Sequence, residues 1–162
     1  MWYAQVIGYF FAVVIGDLLI KLVVDRLWEC IRPKQLDDPQ KYRPDKWQPR
    51  LVGVIERVLY VATLQFGKGE FIGFWLALKV AGQWTRWSKE PQTGEKIPHG
   101  RSIYQNFLIG NALSVLYAFV GFRVIEWISL RQIVKATTIP LSLIATTIAL
   151  WAWLRQYRTS DE

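Results

Sequence analysis

Two uncharged runs, residues 103–122 and 136–154, constrain this chain more than any motif in it. Twenty helical residues at 1.5 Å each cover about 30 Å, the thickness of a bilayer's hydrocarbon core. Residues 1–16 form a third uncharged run, and its apolar pattern continues past Asp17 and Lys21 to Val24. Three such runs in 162 residues exceed what the core of a soluble helical bundle needs, and charged residues are only 20%, against about 25% in an ordinary soluble domain. No basic residue precedes the first run. Nor does a small-residue cleavage pattern follow it, where Lys21, Asp25 and Arg26 stand. The segment therefore reads as a retained span and not a secretory signal.

The middle of the chain is shorter in its apolar stretches. Residues 51–66 are interrupted by Glu56 and Arg57, and residues 70–84 by Lys79, with Gly67-Lys68-Gly69 between them. Two glycines suit a tight connection. Sixteen helical residues cover about 24 Å, so the pair reads as two short spans or as one re-entrant hairpin shielded by its neighbours. The expected fold is all-α: a single multi-pass transmembrane bundle with about five spans, at 3–24, 51–66, 70–84, 103–125 and 137–154. The second and third spans form a short helical hairpin, and loops 25–50 and 85–102 share one side.

Charge sets the orientation. Thirteen of the twenty Lys and Arg fall in 25–50, 85–102 and the tail, against four (Lys68, Arg123, Arg131, Lys135) on the opposite side. The positive-inside rule then puts the amino terminus outside and the carboxyl terminus in the cytoplasm of a plasma (inner) membrane. Tryptophan, whose ring favours the headgroup level, follows the same division. Trp28, Trp47, Trp84, Trp87, Trp151 and Trp153 fall near inner ends and Trp2 and Trp127 near outer ends, leaving Trp75 mid-span. The net charge of +7 thus points to anionic lipid headgroups at the basic loops. Nucleic acid is not the expected partner, since Asp37, Asp38 and Asp45 interrupt the basic stretch.

Small residues mark where helices in lipid approach closely. They recur at i, i+4 spacing in Ala4/Gly8/Ala12/Gly16, in Gly69/Gly73/Ala77/Ala81 and in Asn106/Gly110/Ser114/Ala118. Gly8, Gly16, Gly73, Gly110 and Ser114 are the expected packing positions. In the last span, the hydroxyls of Thr138, Ser142 and Thr146 are expected to bond their own preceding carbonyls, and Pro140 suits a first-turn position.

Asp17, Lys21, Glu56, Arg57 and Lys79 are the charged residues in the interior of the expected spans, away from Glu70 and Arg123 at span ends. Each costs about 2.5 to 3.5 kcal/mol near mid-bilayer on insertion scales, so they should compensate one another. In a hairpin centred on Lys68, Glu56 and Lys79 come to similar depth. Asp17 and Lys21 form an acid-first i, i+4 pair, and residual charge calls for Arg57 with Asp17. Asn106 and Asn111 are polar partners for the cluster. Two roles are open to it: structural pairs near the inner interface, with Lys21 and Arg57 snorkelling, or the lining of a polar path.

Catalytic chemistry has little to stand on. His99 is the single imidazole and Cys30 the single thiol. No phosphate-cradling glycine loop, paired-carboxylate signature or metal-ligand spacing is present, so neither a cofactor nor a metal is expected. Residues 51–121 resemble a group of uncharacterised small bacterial inner-membrane proteins. The resemblance rests on Gly53-Val54-Ile55-Glu56-Arg57-Val58-Leu59, on Ile72-Gly73-Phe74 with Ala77-Leu78-Lys79, and on Tyr104-Gln105-Asn106-Phe107-Leu108-Ile109-Gly110 with Leu113-Ser114. It implies a bacterial multi-pass membrane protein and carries no activity with it. The expected function is that of a non-catalytic assembly or regulatory subunit. Such a subunit would be a homo-oligomer or part of a larger membrane complex. A small oligomeric channel or transporter using the charged cluster is the alternative, and a lipid-directed membrane enzyme a more distant one.

Overall fold

The computed structural model describes residues 2–31, 47–87 and 100–159, all as helices and the short turns between them. The segments 32–46 and 88–99, which hold His99 and much of the two basic loops, lie outside the described residues. The first rod consists of α1 (Trp2–Phe10), a π-helical segment (Phe11–Ile15) and α2 (Gly16–Ile31). It is followed by α3 (Trp47–Gln65), α4 (Glu70–Trp87), α5 (Gly100–Ser129) and α6 (Ile133–Thr159). Three helices are long and apolar enough to cross a membrane: Trp2–Cys30, Tyr104–Ser129 and Ile133–Gln156. Charge sets α3 and α4 apart from these, because Arg50, Glu56 and Arg57 interrupt the one and Glu70, Lys79 and Arg86 the other.

Helix α5 is the central post, and every other helix packs on it. Its C-terminal half meets α1 where Gly8 lies against Gly121 and Ile125, and its middle meets Gly16 through Tyr117. Those pairings make α5 antiparallel to the first rod. Arg57 of α3 reaches Asp17 and Ser114, while Tyr60 and Val61 join Ala12 and Ala118 in one apolar cluster. Helix α3 therefore runs with α5 and against the first rod. Helix α4 turns back so that Trp75 and Lys79 meet Glu56. Helix α6 turns back so that Thr147 meets Tyr117. Successive helices thus alternate in direction.

The turns have identifiable causes. At the end of α3 the Lys68 N–H donates to Thr63 O (2.8 Å) and the Gly67 N–H to Leu64 O (3.1 Å). Gly67 takes φ 67°, which completes the left-handed cap that glycine accommodates without cost from a Cβ. After α5 the same pattern recurs, with Gln132 N–H to Trp127 O (2.8 Å) and Arg131 N–H to Ile128 O (3.1 Å). Here Arg131 occupies the left-handed position, at φ 58°.

The helices reach further than the hydropathy pattern. Helix α2 continues past Val24 to Ile31, supported by an Arg26–Glu29 pair three residues apart. Helix α3 begins at Trp47, ahead of residue 51, and Pro49 fits within its first turn because the missing N–H there has no intrahelical partner to lose. Pro140 departs from its expected place. It lies inside α6, a full two turns beyond Ile133, where a proline is tolerated in apolar surroundings once neighbours re-satisfy the freed groups. Thr137, Thr138, Ser142 and Thr146 donate to carbonyls three or four residues back, as the hydroxyl spacing implies.

The surface is more apolar, and the core more polar, than in a water-soluble bundle. Trp2, Val6, Phe10, Val14, Leu18 and Leu22 form an exposed apolar stripe along the first rod, and Phe74, Leu78, Leu116, Phe119, Leu141 and Trp153 are exposed elsewhere. Asp17, Glu56, Arg57, Asn106, Asn111 and Ser114 are buried. Apolar surface outside and polar groups inside suits a hydrocarbon solvent.

Candidate functional site: a charged layer inside the bundle

Glu56 and Arg57 are neighbours in α3, so their side chains leave the helix about 100° apart and enter two different interfaces. Arg57 is 2% exposed. Its Nη2 donates to Asp17 Oδ1 at 2.9 Å, and its Nη1 lies 3.4 Å from Ser114 Oγ. Asp17 has a second partner, Arg50, whose Nε donates to Oδ2 at 2.7 Å. Glu56, also 2% exposed, faces α4. It accepts from Trp75 Nε1 at 2.7 Å, and Lys79 Nζ sits 2.7 Å from Oε1 and 2.9 Å from Oε2. Lys79 donates as well to Asn111 Oδ1 at 2.6 Å and lies 5.3 Å above the Phe107 ring centre. Asn111 in turn donates to Phe107 O at 2.7 Å.

Asp17, Arg57, Glu56 and Lys79 sum to zero charge, and each has an opposite charge within 2.9 Å. Such a layer escapes most of the penalty of placing single charges in hydrocarbon, provided both members of each pair stay. It also ties four helices together: α2, α3, α4 and α5 each contribute a side chain. Its place is deep in the bundle. Asp17 lies at the middle of the candidate span Trp2–Cys30, and Ser114 close to the middle of Tyr104–Ser129.

The structure brings together most of the residues singled out by sequence, with three differences. Glu56 with Lys79 and Asp17 with Arg57 are the pairs expected from depth and charge. Lys21, however, does not join Asp17: it is exposed and makes no ion pair among the described residues. Arg57 does not snorkel, because its guanidinium is held inside by Asp17 and Ser114. Asn111 serves Lys79, while both polar side-chain atoms of Asn106 are buried without a partner among the described residues.

The small-residue positions also divide. A Cβ at Gly8 would fall 2.3 Å from Ile125 Cγ1 and 2.5 Å from Gly121 O. One at Gly16 would lie 3.1 Å from Tyr117 Cβ, and one at Gly110 3.5 Å from Val24 Cγ2. At Gly73 nothing lies within 4 Å, and with Gly69, Ala77 and Ala81 it faces outward. Among the described residues the α4 stripe is therefore not a packing face, because α4 turns its Ile72, Trp75 and Leu76 side toward α3 and α5.

Two members of the network lay outside the residues the sequence singled out. Arg50 read as the end of a loop, although its spacing of two turns from Arg57 places both on one helix face. Trp75 read as a mid-span aromatic, although it stands one turn before Lys79 and donates to the same carboxylate. The π-helical segment had no sequence signal. An i, i+4 stripe drifts by about 40° per step on a regular α-helix, yet Ala4, Gly8, Ala12 and Gly16 are all buried. The wider turn over Phe11–Ile15, closed by Gly16 N–H to Phe11 O, offsets the drift and keeps the stripe on α5.

Among the described residues no three of His, Cys, Asp and Glu gather where a metal could bind. Comparison with family models, with curated proteins and with solved structures returned no match for this chain.

Proposed function

We propose that this chain is a non-catalytic multi-pass protein of a bacterial inner membrane, serving as an assembly or regulatory subunit in oligomeric form. It crosses the bilayer five times, with α3 and α4 as a hairpin, the amino terminus outside and the carboxyl terminus in the cytoplasm. One observation carries the reading: the four deep charges are closed on each other, so they join helices and none of the four is left free to receive a solute. The alternation of helix direction supports five passes, and so do the lengths of α3 and α4, 19 and 18 residues, or about 28 and 27 Å. The resemblance over 51–121 supports the bacterial setting. Oligomer formation is supported by apolar surface left open on the central helix, where Leu108, Leu116 and Phe119 of α5 are exposed.

A second reading, an oligomeric channel or transporter, draws on Asn106 and the Tyr60 hydroxyl, which are buried without protein partners among the described residues. Buried polar groups of that kind are often bridged by water. Reconstitution decides between the readings. The assembly reading expects a defined oligomer by light scattering of the purified protein, and no ion flux in proteoliposomes above lipid alone. Flux that disappears in a Glu56→Gln/Lys79→Met double variant favours the channel and overturns it.

A further inference from the structure

We infer that Lys21 and Arg50 together form a binding site for the phosphate of an anionic phospholipid headgroup, on the groove between α2 and α3. The inference rests on the reading that the bundle is membrane-embedded, and it goes beyond attraction of the basic loops to lipid. It begins with charge. Asp17 is the carboxylate shared by Arg57 and Arg50, and the buried Arg57 already neutralises it. The Arg50 charge is therefore in excess at this level. Lys21 adds another, one turn along α2 toward the same end, where i, i+4 side chains start about 5–6 Å apart. Asp25, the next acid along that helix, is engaged in an interaction of its own.

The donors point the same way. Arg50 uses Nε on Asp17, and its side chain is 52% exposed. Its two terminal nitrogens make no bond within the chain among the described residues, so the fork is left over for a ligand. A guanidinium fork matches two oxygens of a phosphate, as an ammonium does not. Lys21 is exposed, with all three donors free of the chain among the described residues. Leu18 and Leu22, beside it on the same rod, are exposed apolar residues suited to acyl chains. Lys21 stands one turn before Val24, where the expected first span ends, and Arg50 directly before residue 51, where the second begins, so both long basic side chains extend to the headgroups. Asp17 fixes the direction of the Arg50 guanidinium, so the fork is preorganised. That orientation is what separates a site from diffuse attraction.

The test uses the full chain in phosphatidylcholine nanodiscs, with phosphatidylglycerol added at increasing fraction, read by thermal unfolding and by native mass spectrometry of retained lipid. A tenfold preference for phosphatidylglycerol should raise the Tm by about 3–6 °C, and one anionic lipid should remain bound at lower fractions than others. Lys21→Gln, an exposed change that leaves Asp17 and both arginines intact, should lower retention of that lipid about tenfold. Arg50→Lys keeps the charge on Asp17 but removes the fork, and should do the same. Lys68→Gln, at the opposite end, should leave retention unchanged. Equal retention by the parent, Lys21→Gln and Arg50→Lys would overturn the site. So would equal stabilisation by inorganic phosphate, which would mark the groove as a simple anion site. Should the chain behave as a water-soluble protein without lipid or detergent, the membrane reading itself fails. Should it embed with no preference for phosphatidylglycerol, the lipid site alone fails.

Discussion

Glu56 and Arg57 are adjacent residues that serve different neighbours, and the cost of separating either from its partner is the main energetic feature of the bundle. Removing one member of a buried pair leaves an uncompensated charge, which typically costs about 3 to 5 kcal/mol. An exposed pair is worth about 0 to 1 kcal/mol, and an ordinary interhelical hydrogen bond in a membrane protein averages about 0.6 kcal/mol. The first figure applies to Glu56, which is 2% exposed and takes Lys79 on both oxygens. Glu56→Gln or Lys79→Met alone should therefore lower the unfolding temperature sharply in detergent, with the double change recovering much of the loss. Additive effects of the two changes would show that the pair contributes nothing. Tyr117→Phe, which deletes the 2.8 Å bond to Thr147, should cost less than 2 kcal/mol in the same assay.

At the scale of elements, the first rod and α5 approach backbone to backbone at one place. A Cβ on Gly121 would lie 2.7 Å from Gly8 O and 2.8 Å from Ala12 Cβ. Neither α1 nor α5 can yield there without losing its neighbours, so Gly8→Ala and Gly121→Ala should each destabilise by about 1 to 3 kcal/mol, the range for overpacking. Gly73→Ala meets open space and should be neutral or stabilising by up to about 1 kcal/mol, the helix-propensity difference. Should Gly73→Ala prove as damaging as Gly8→Ala in a purified oligomer but harmless in the monomer, the outward α4 stripe is a contact between copies. The α5–α6 turn offers an opposite case. Arg131 holds φ 58°, a conformation that costs a residue with a Cβ about 1–2 kcal/mol. Arg131→Gly should accordingly raise the unfolding temperature slightly, by an amount corresponding to about 1 kcal/mol or less once glycine's backbone entropy is counted.

For the whole molecule the deciding measurement is topology. The basic asymmetry of thirteen to four predicts Lys68 outside and Lys41 in the cytoplasm, and Arg26 Nη2 bonded to Arg155 O at 3.2 Å keeps the ends of α2 and α6 on one side. In a background lacking Cys30, an impermeant thiol reagent applied to intact cells should label a cysteine at 68 and not one at 41. The reverse pattern would invert the molecule while leaving its helix pairings in place. Labelling at both positions would show that α3 and α4 do not cross.

Length and hydropathy alone determined that this chain is helical and holds three apolar rods, because a bilayer's thickness and its intolerance of unpaired backbone groups leave few other solutions. The depth of Glu56 and Lys79 was legible too, since helical rise converts residue number into distance from the turn. What the tertiary structure decided was direction around each helix axis. A pairing of Asp17 with Lys21 and one with Arg57 are equally consistent with charge. Packing chose Arg57, because Gly16 and Ser114 leave room for its side chain beside α5 while Lys21 turns outward. Small-residue spacing likewise marks a face without naming its neighbour: the first rod's stripe meets Gly121, and Gly73 of the α4 stripe meets nothing among the described residues. Rotational position depends on every packed side chain at once, and over Phe11–Ile15 it was reset by a single wide helical turn.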